Sequence, residues 1–145
     1  GLTVEEGMKL EYVSAAFKEA MRLHPPLWVT SRTPVEDDVI GGCPVKKGTV
    51  VILPQIVMHR HPRWWVDPNV FRPERFMGVE AEAVADGVYF PFSQGPRKCS
   101  GFKFAELEAR TVFAKLLPLF HVRALNVLGN PYDPGISLKL RHNLM

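Results

Sequence analysis

The sequence predicts a mixed α and β chain, mainly helical, with small β-sheets. Three observations carry this. Two stretches repeat apolar residues with the period of an amphipathic helix. Between them lies a band of short β-branched runs cut by glycine and proline. A further segment, rich in proline and tryptophan, has little periodicity. At 145 residues the length suits one ordinary domain, and 46% hydrophobic with 23% charged residues is a globular balance rather than a disordered one.

The first helix is expected from about Met8 to Leu23. Val13, Ala16, Phe17 and Ala20 fall at i, i+3, i+4 and i+7 and form one apolar stripe. Pro25 and Pro26 end it, and His24 before them is pushed toward extended geometry. From Leu27 to Leu53 the runs "WVTSR", "DVIGGCPV" and "TVVILP" read as strands, with a hairpin through Gly41-Gly42 and a turn at Lys47-Gly48. "PQIVMHRH" reads as a short helix. Pro62 to Gly87 reads as a long, ordered, irregular segment, which is uncommon and often functional. Its "MGVEAEAVADG" portion is expected to be an exposed loop. The helical period returns after Cys99, where Ala109, Val112, Phe113, Leu116, Leu117 and Phe120 share a face and Pro118 kinks or ends the helix. The tail from Val122 is expected to form short strands, with turns at Gly129-Asn130 and Asp133-Pro134-Gly135. There is no internal repeat and no low-complexity tract.

Composition narrows the function. The net charge is only +3 and the basic residues are scattered, so no stripe for nucleic acid is present. Two cysteines do not make a disulfide framework, which favours a reducing or redox-neutral setting. No apolar run approaches the roughly 20 residues of a transmembrane helix, and no signal peptide is recognisable. The chain opens almost directly into a helix without an initiating Met, and is expected to lack an N-terminal part.

The chemistry concentrates in "FSQGPRKCSG", from Phe92 to Gly101. A thiolate is the form of cysteine that binds metals and attacks electrophiles. Arg97, Lys98 and the N-terminus of the following helix all favour negative charge on the Cys99 sulfur. Gly95 and Gly101 permit a tight turn and close approach of a bulky flat partner, and Pro96 stiffens the turn. Taken alone, the turn also suits a buried structural cysteine. A zinc site from His59, His61 and Cys43 or Cys99 is disfavoured, because i,i+2 histidines do not share a helical face and no C-x-x-C exists. Cys99 as a catalytic nucleophile lacks a recognisable base and orienting acid. Cys43 lies in a Gly-Gly-Cys-Pro turn with no expected chemical role.

Phe92, Gly95, Arg97, Cys99 and Gly101 fit F-x-x-G-x-R-x-C-x-G. At about 5% per fixed residue type, chance supplies this on the order of three times in ten million start positions. The pattern resembles, without departure, the haem-binding signature of the cytochrome P450 family. Two more stretches resemble that family in the same order: Glu19-x-x-Arg22 in "FKEAMRLHPP", and "FRPERF" from Phe71 to Phe76 with Arg75. The resemblance implies a structural triad of Glu19, Arg22 and Arg75 that fixes the irregular segment against the first helix. Residues three apart share a helical face, and a distant Arg can close a fork on one carboxylate.

The resemblance further implies the C-terminal, haem-binding part of the P450 fold over residues 1–145, with the N-terminal two thirds absent, including the distal helix that delivers protons. It implies haem b, with Cys99 as axial ligand of the iron. Arg32 and Arg97 would pair with the haem propionates, and Phe92 would pack near the sulfur. Glu108 resembles a structural acid of the following helix. Leu27–Thr33 and Tyr132–Ser137 correspond to substrate-contacting stretches, whose apolar content suggests a lipophilic substrate. The implied activity is a haem-thiolate monooxygenase using O2, a small organic substrate and electrons from a reductase or ferredoxin, with Lys98, Lys103 and Arg63 on a basic proximal face. Two alternatives stand beside it: a peroxide-using or hydroperoxide-rearranging enzyme of the same fold, and a catalytically incomplete haem-binding fragment. Location would be the endoplasmic reticulum membrane for a eukaryotic protein, through an N-terminal segment, or the cytoplasm for a bacterial one.

Overall fold

The computed structural model describes residues 10–82, 84, 87–123, 132–135 and 137–140. Helix α1 spans Glu11–Leu23 and is capped by His24, whose N–H donates to the carbonyl of Ala20; the proposed start at Met8 lies outside the described residues. Its fully buried face differs from the apolar stripe. Ser14, Ala15, Glu19, Arg22 and Leu23 are buried, whereas Val13, Ala16, Phe17 and Ala20 are half-buried. The reason is that α1 turns its Glu19–Arg22 edge toward the irregular segment, whose main chain needs polar partners.

Four three-residue strands follow. Strand β1 (Thr30–Arg32) pairs antiparallel with β4 (Val51–Leu53), and β2 (Asp38–Ile40) pairs antiparallel with β3 (Cys43–Val45). Ile40 faces Cys43, so Gly41-Gly42 form a two-residue loop. Both have positive φ, 56° and 82°, the left-handed pair that a primed hairpin turn demands. The turn before β4 is closed by Thr49 N–H donating to the Lys46 carbonyl at 3.1 Å.

A short helix, α2 (Gln55–Met58), leads into the irregular segment. There the chain makes a 3₁₀ turn over Pro73–Phe76 and a short helix, α3 (Gly78–Glu82). The "MGVEAEAVADG" stretch is therefore partly helical. It is nonetheless peripheral, since α3 buries none of its residues. The segment is anchored by aromatic packing: Trp65, Phe76 and Tyr89 lie with ring centroids 4.7–6.4 Å apart, and Trp65 Nε1 donates to the Met58 carbonyl at 3.1 Å.

Helix α4 (Phe102–Leu116) follows the cysteine turn, with Leu117 as its C-cap just before Pro118. It packs against α1. Ser14 Oγ donates to Glu106 at 3.0 Å, and Arg110 closes on the same carboxylate at 2.8 Å. Only Ala114 of α4 is buried; Val112, Phe113, Leu116, Leu117 and Phe120 of the sequence-derived stripe are exposed. Strand β5 (Tyr132–Pro134) pairs antiparallel with β6 (Leu138–Leu140), so Asp133 and Pro134 belong to a strand and the reversal comes after them. The proposed turn at Gly129-Asn130 lies outside the described residues. No described helix is long and apolar enough to cross a membrane.

Candidate cofactor-binding cleft

The cysteine turn is built from its ends inward. Ser93 N–H donates to the Phe90 carbonyl at 3.0 Å, and Cys99 N–H donates to the Phe92 carbonyl at 2.9 Å. Between them Gly95–Arg97 forms one 3₁₀ turn. Gly95 has φ 70°, so glycine is required by the backbone there, and the space around its missing Cβ is open. Gly101 differs. Its φ is −84°, ordinary for any residue, and a Cβ there would stand 3.8 Å from Cys99 Sγ. Its role is space beside the sulfur rather than backbone freedom.

Cys99 is a free, exposed thiol, unlike a buried structural cysteine. It lines an open cleft of about 300 Å³ with Leu27, Arg32, Phe92 and Arg97, which Met21, Pro26 and Pro91 help to wall. Two stretches far apart in sequence, Met21–Arg32 and Pro91–Cys99, thus meet at one surface. Arg32 projects from β1, where its Nη2 donates to Ser93 Oγ at 3.1 Å. Ser93 itself has φ 62°, a left-handed conformation unusual for a residue with a Cβ. Trp28 Nε1 donates to the Gly135 carbonyl at 3.1 Å, which joins Leu27–Thr33 to the stretch around Tyr132–Ser137; Ile136 lies outside the described residues.

The donor set fits a haem. One soft sulfur is available as a single ligand, two guanidinium groups can meet two carboxylates, and the walls are largely apolar. Among the described residues no cluster of three or more His, Cys, Asp and Glu could hold a bare metal ion.

Glu19, Arg22 and Arg75 come together behind this cleft. Arg22 binds the Glu19 carboxylate through Nε and Nη2, at 2.7 and 2.8 Å. Arg75 Nε approaches the same carboxylate at 3.3 Å, and Arg72 N–H donates to it at 2.9 Å. The remaining donors tie the irregular segment: Arg22 reaches the carbonyls of His59 and Pro68, both at 2.7 Å, and Arg75 reaches that of Asp67 at 2.8 Å. All three side chains are buried, and Trp65 lies under the Arg22 guanidinium at 4.9 Å.

Other sequence assignments separate. Glu108 is exposed; the acid that joins α4 to α1 is Glu106. Lys98 and Lys103 both flank the Phe102 ring, at 3.8 and 6.0 Å, whereas Arg63 stacks on Trp64. His61 is exposed and His59 is fully buried, so the two histidines face different surroundings. Burial and the nearby Arg22 push His59 down to about 4, so the ring is neutral. Burial also holds the Tyr89 hydroxyl in its protonated form, and that hydroxyl donates to the Lys18 carbonyl at 3.0 Å.

Comparison with known proteins agrees with this geometry. The family profile described as Cytochrome P450 matches residues 1–139. The chain is 40% identical to mouse cytochrome P450 4V2 over 123 residues, 85% of this chain and 23% of that protein. It is 38% identical to the Drosophila melanogaster protein cytochrome P450 4ae1 over 143 residues, 97% of this chain and 28% of that protein. The crystal structure of the cytochrome P450DA heme domain superimposes with a TM-score of 0.89 at 27% identity, over 97% of this chain and 31% of that one. The chain therefore spans about a quarter of the length of the curated relatives it matches. With the family profile running nearly end to end, the chain belongs to the cytochrome P450 family.

Proposed function

We propose that this chain is the C-terminal haem-binding part of a haem-thiolate monooxygenase, with Cys99 as the axial ligand of haem b. The observation that carries the reading is the meeting of Cys99, Arg32 and Arg97 on one apolar-walled cleft. When bound, the haem supplies the reductive activation of dioxygen, and an axial thiolate favours O–O cleavage. The residues of this chain do the rest. Cys99 would hold the haem through sulfur from a turn stiffened by Pro96. Arg32 and Arg97 would pair with its carboxylates and hold it in the cleft. Phe92 and Pro91 would pack against the bound group near the sulfur. Leu27 and the neighbouring strand offer an apolar approach for a lipophilic organic substrate. Electrons would come from a reductase or ferredoxin at the face carrying Lys98 and Lys103.

The exposed apolar face of α4 and the openness of the cleft support a division of labour. This chain supplies the sulfur-side wall, and the remainder of a family member supplies the opposite wall and the groups that move protons to oxygen.

The test is the absorption spectrum of the haem-loaded, reduced, CO-bound protein beside a Cys99→Ala control. A red-shifted Soret band that disappears in the control is the expected result. A folded, haem-loaded protein without that band would overturn the ligand assignment.

A further inference from the structure

We propose that Gln55 and His59 are positioning residues for Cys99, clamping the main chain of Phe90 so that the cysteine turn presents its sulfur in one direction. The inference rests on the thiolate reading above and deepens it. The two side chains are four residues apart, so they project from one face at the α2 end. Both are fully buried. His59 Nε2 accepts the Phe90 N–H at 3.0 Å, and Gln55 Nε2 donates to the Phe90 carbonyl at 3.2 Å. Two side chains thus occupy both polar groups of one residue, as a neighbouring strand would.

The clamp lies one proline away from the turn. Pro91 is buried and its ring fixes φ, which removes one of the backbone rotations between Phe90 and Phe92. The Phe92 carbonyl in turn receives the Cys99 N–H at 2.9 Å. The other end of the clamp is equally fixed. The His59 carbonyl accepts from Arg22 at 2.7 Å, and its ring packs on Tyr89 and edge-on to Phe90, both at 5.3 Å. A continuous route of short, directional contacts therefore runs from the buried Glu19–Arg22 pair to the amide of Cys99. Cys99 would hold the group through one sulfur, so the direction of that amide bears on where the sulfur is presented.

The haem-loaded protein is compared with His59→Leu, which removes the acceptor, and His59→Gln, whose amide oxygen can replace it. Gln55→Leu removes the second contact. Ala114→Gly, buried in α4, supplies a similar loss of stability away from the clamp. Each is read by the reduced CO spectrum at equal haem content, by amide exchange at Phe90 and Cys99, and by its unfolding midpoint. In His59→Leu and Gln55→Leu we expect at least half the haem absorption to leave the thiolate-type band, and exchange at both amides to rise at least tenfold over the global rate. His59→Gln and Ala114→Gly should retain the band. If His59→Leu lowers the midpoint as Ala114→Gly does but keeps the band and the amide protection, the positioning role is overturned. A parent protein without the thiolate band would instead overturn the assignment of Cys99 itself, and this inference with it.

Discussion

Replacing Glu19 by Gln is the sharpest perturbation of the buried network. The substitution keeps shape and volume, so no cavity is made and the change is electrostatic. Four donors end on the Glu19 carboxylate: two from Arg22, one from Arg75 and the N–H of Arg72. An amide offers one acceptor oxygen and turns an N–H2 group toward a guanidinium. Two buried cations then lose their counter-charge, a loss that typically costs about 3–5 kcal/mol. Against a total stability of about 5–15 kcal/mol for an ordinary protein, that is a large share. Restoring an apolar core by Glu19→Met with Arg22→Leu should not rescue it. The carbonyls of His59 and Pro68, which Arg22 satisfies at 2.7 Å each, would be left without that donor. Each buried unsatisfied group costs about 1–3 kcal/mol. Urea unfolding followed by circular dichroism measures both variants, with unchanged slope as the check on a two-state transition. Because the pair is shielded from solvent, the loss should be nearly independent of salt between low and physiological ionic strength. A Glu19→Gln loss under about 1 kcal/mol, or a rescue by the apolar pair, would refute the reasoning.

Three further outcomes follow from the geometry. His59 ionises at about 4 in the fold, against an ordinary 6.5, so the unfolded chain binds the extra proton first as pH falls. The stability that depends on a neutral His59 is present above about pH 6.5 and is lost toward pH 4, on the order of 3 kcal/mol in all; unfolding midpoints of the parent and His59→Gln should converge across that window, and parallel curves would contradict it. Gly95→Ala should cost about 1–2 kcal/mol from the left-handed backbone alone, whereas Gly101→Ala should cost only a few tenths; the reverse order in urea titrations would show that the two glycines are assigned the wrong roles. Arg32→Ala should weaken haem retention about ten- to a hundredfold, the equivalent of one charged hydrogen bond, measured by haem transfer to an acceptor protein; unchanged retention would remove Arg32 from the binding set.

The residues proposed for the site stood out in the sequence because their chemistry is local. The spacing from Phe92 to Gly101 encodes a turn, and the Glu19–Arg22 spacing encodes a shared helical face; both can be read without knowing what lies across from them. The hairpin was legible for the same reason, since two consecutive glycines with positive φ close it. What periodicity missed was burial. An apolar stripe predicts the buried side of a helix only if the opposing surface is apolar. For α1 the opposing surface is a main chain rich in unpaired carbonyls, so Glu19 and Arg22 go inside and Phe17 stays half-exposed. For α4 the stripe was read correctly as a face, yet no described residue covers most of it. Gln55 and His59 gave no signal, because a side chain that binds a distant peptide leaves no pattern of its own. Glu106 was passed over for Glu108 for a similar cause: two acids two apart on a helix point different ways, and only the partner, Ser14, distinguishes them.

The distribution of polar and apolar groups explains how the candidate cleft can be held in a single shape. Among the described residues, the buried charged and polar side chains are Ser14, Glu19, Arg22, Gln55, His59 and Arg75, and the buried apolar ones are Ala15, Leu23, Trp65, Val88 and Ala114 with Pro25, Pro73 and Pro91. An apolar core of that size is small and tolerates sliding, because hydrophobic contact has no direction. Hydrogen bonds do have direction, and Arg22, Arg75, His59 and Gln55 each make at least one, apart from the bonds to Glu19, to main chain that ordinary secondary structure does not occupy. We attribute the fixed course of the irregular segment, and with it the aim of the cysteine turn, to this network rather than to burial. The large apolar surfaces of the chain, above all the exposed face of α4, lie outside this network. Orientation would thus come from the polar groups the chain keeps inside, and those same groups carry a share of its stability.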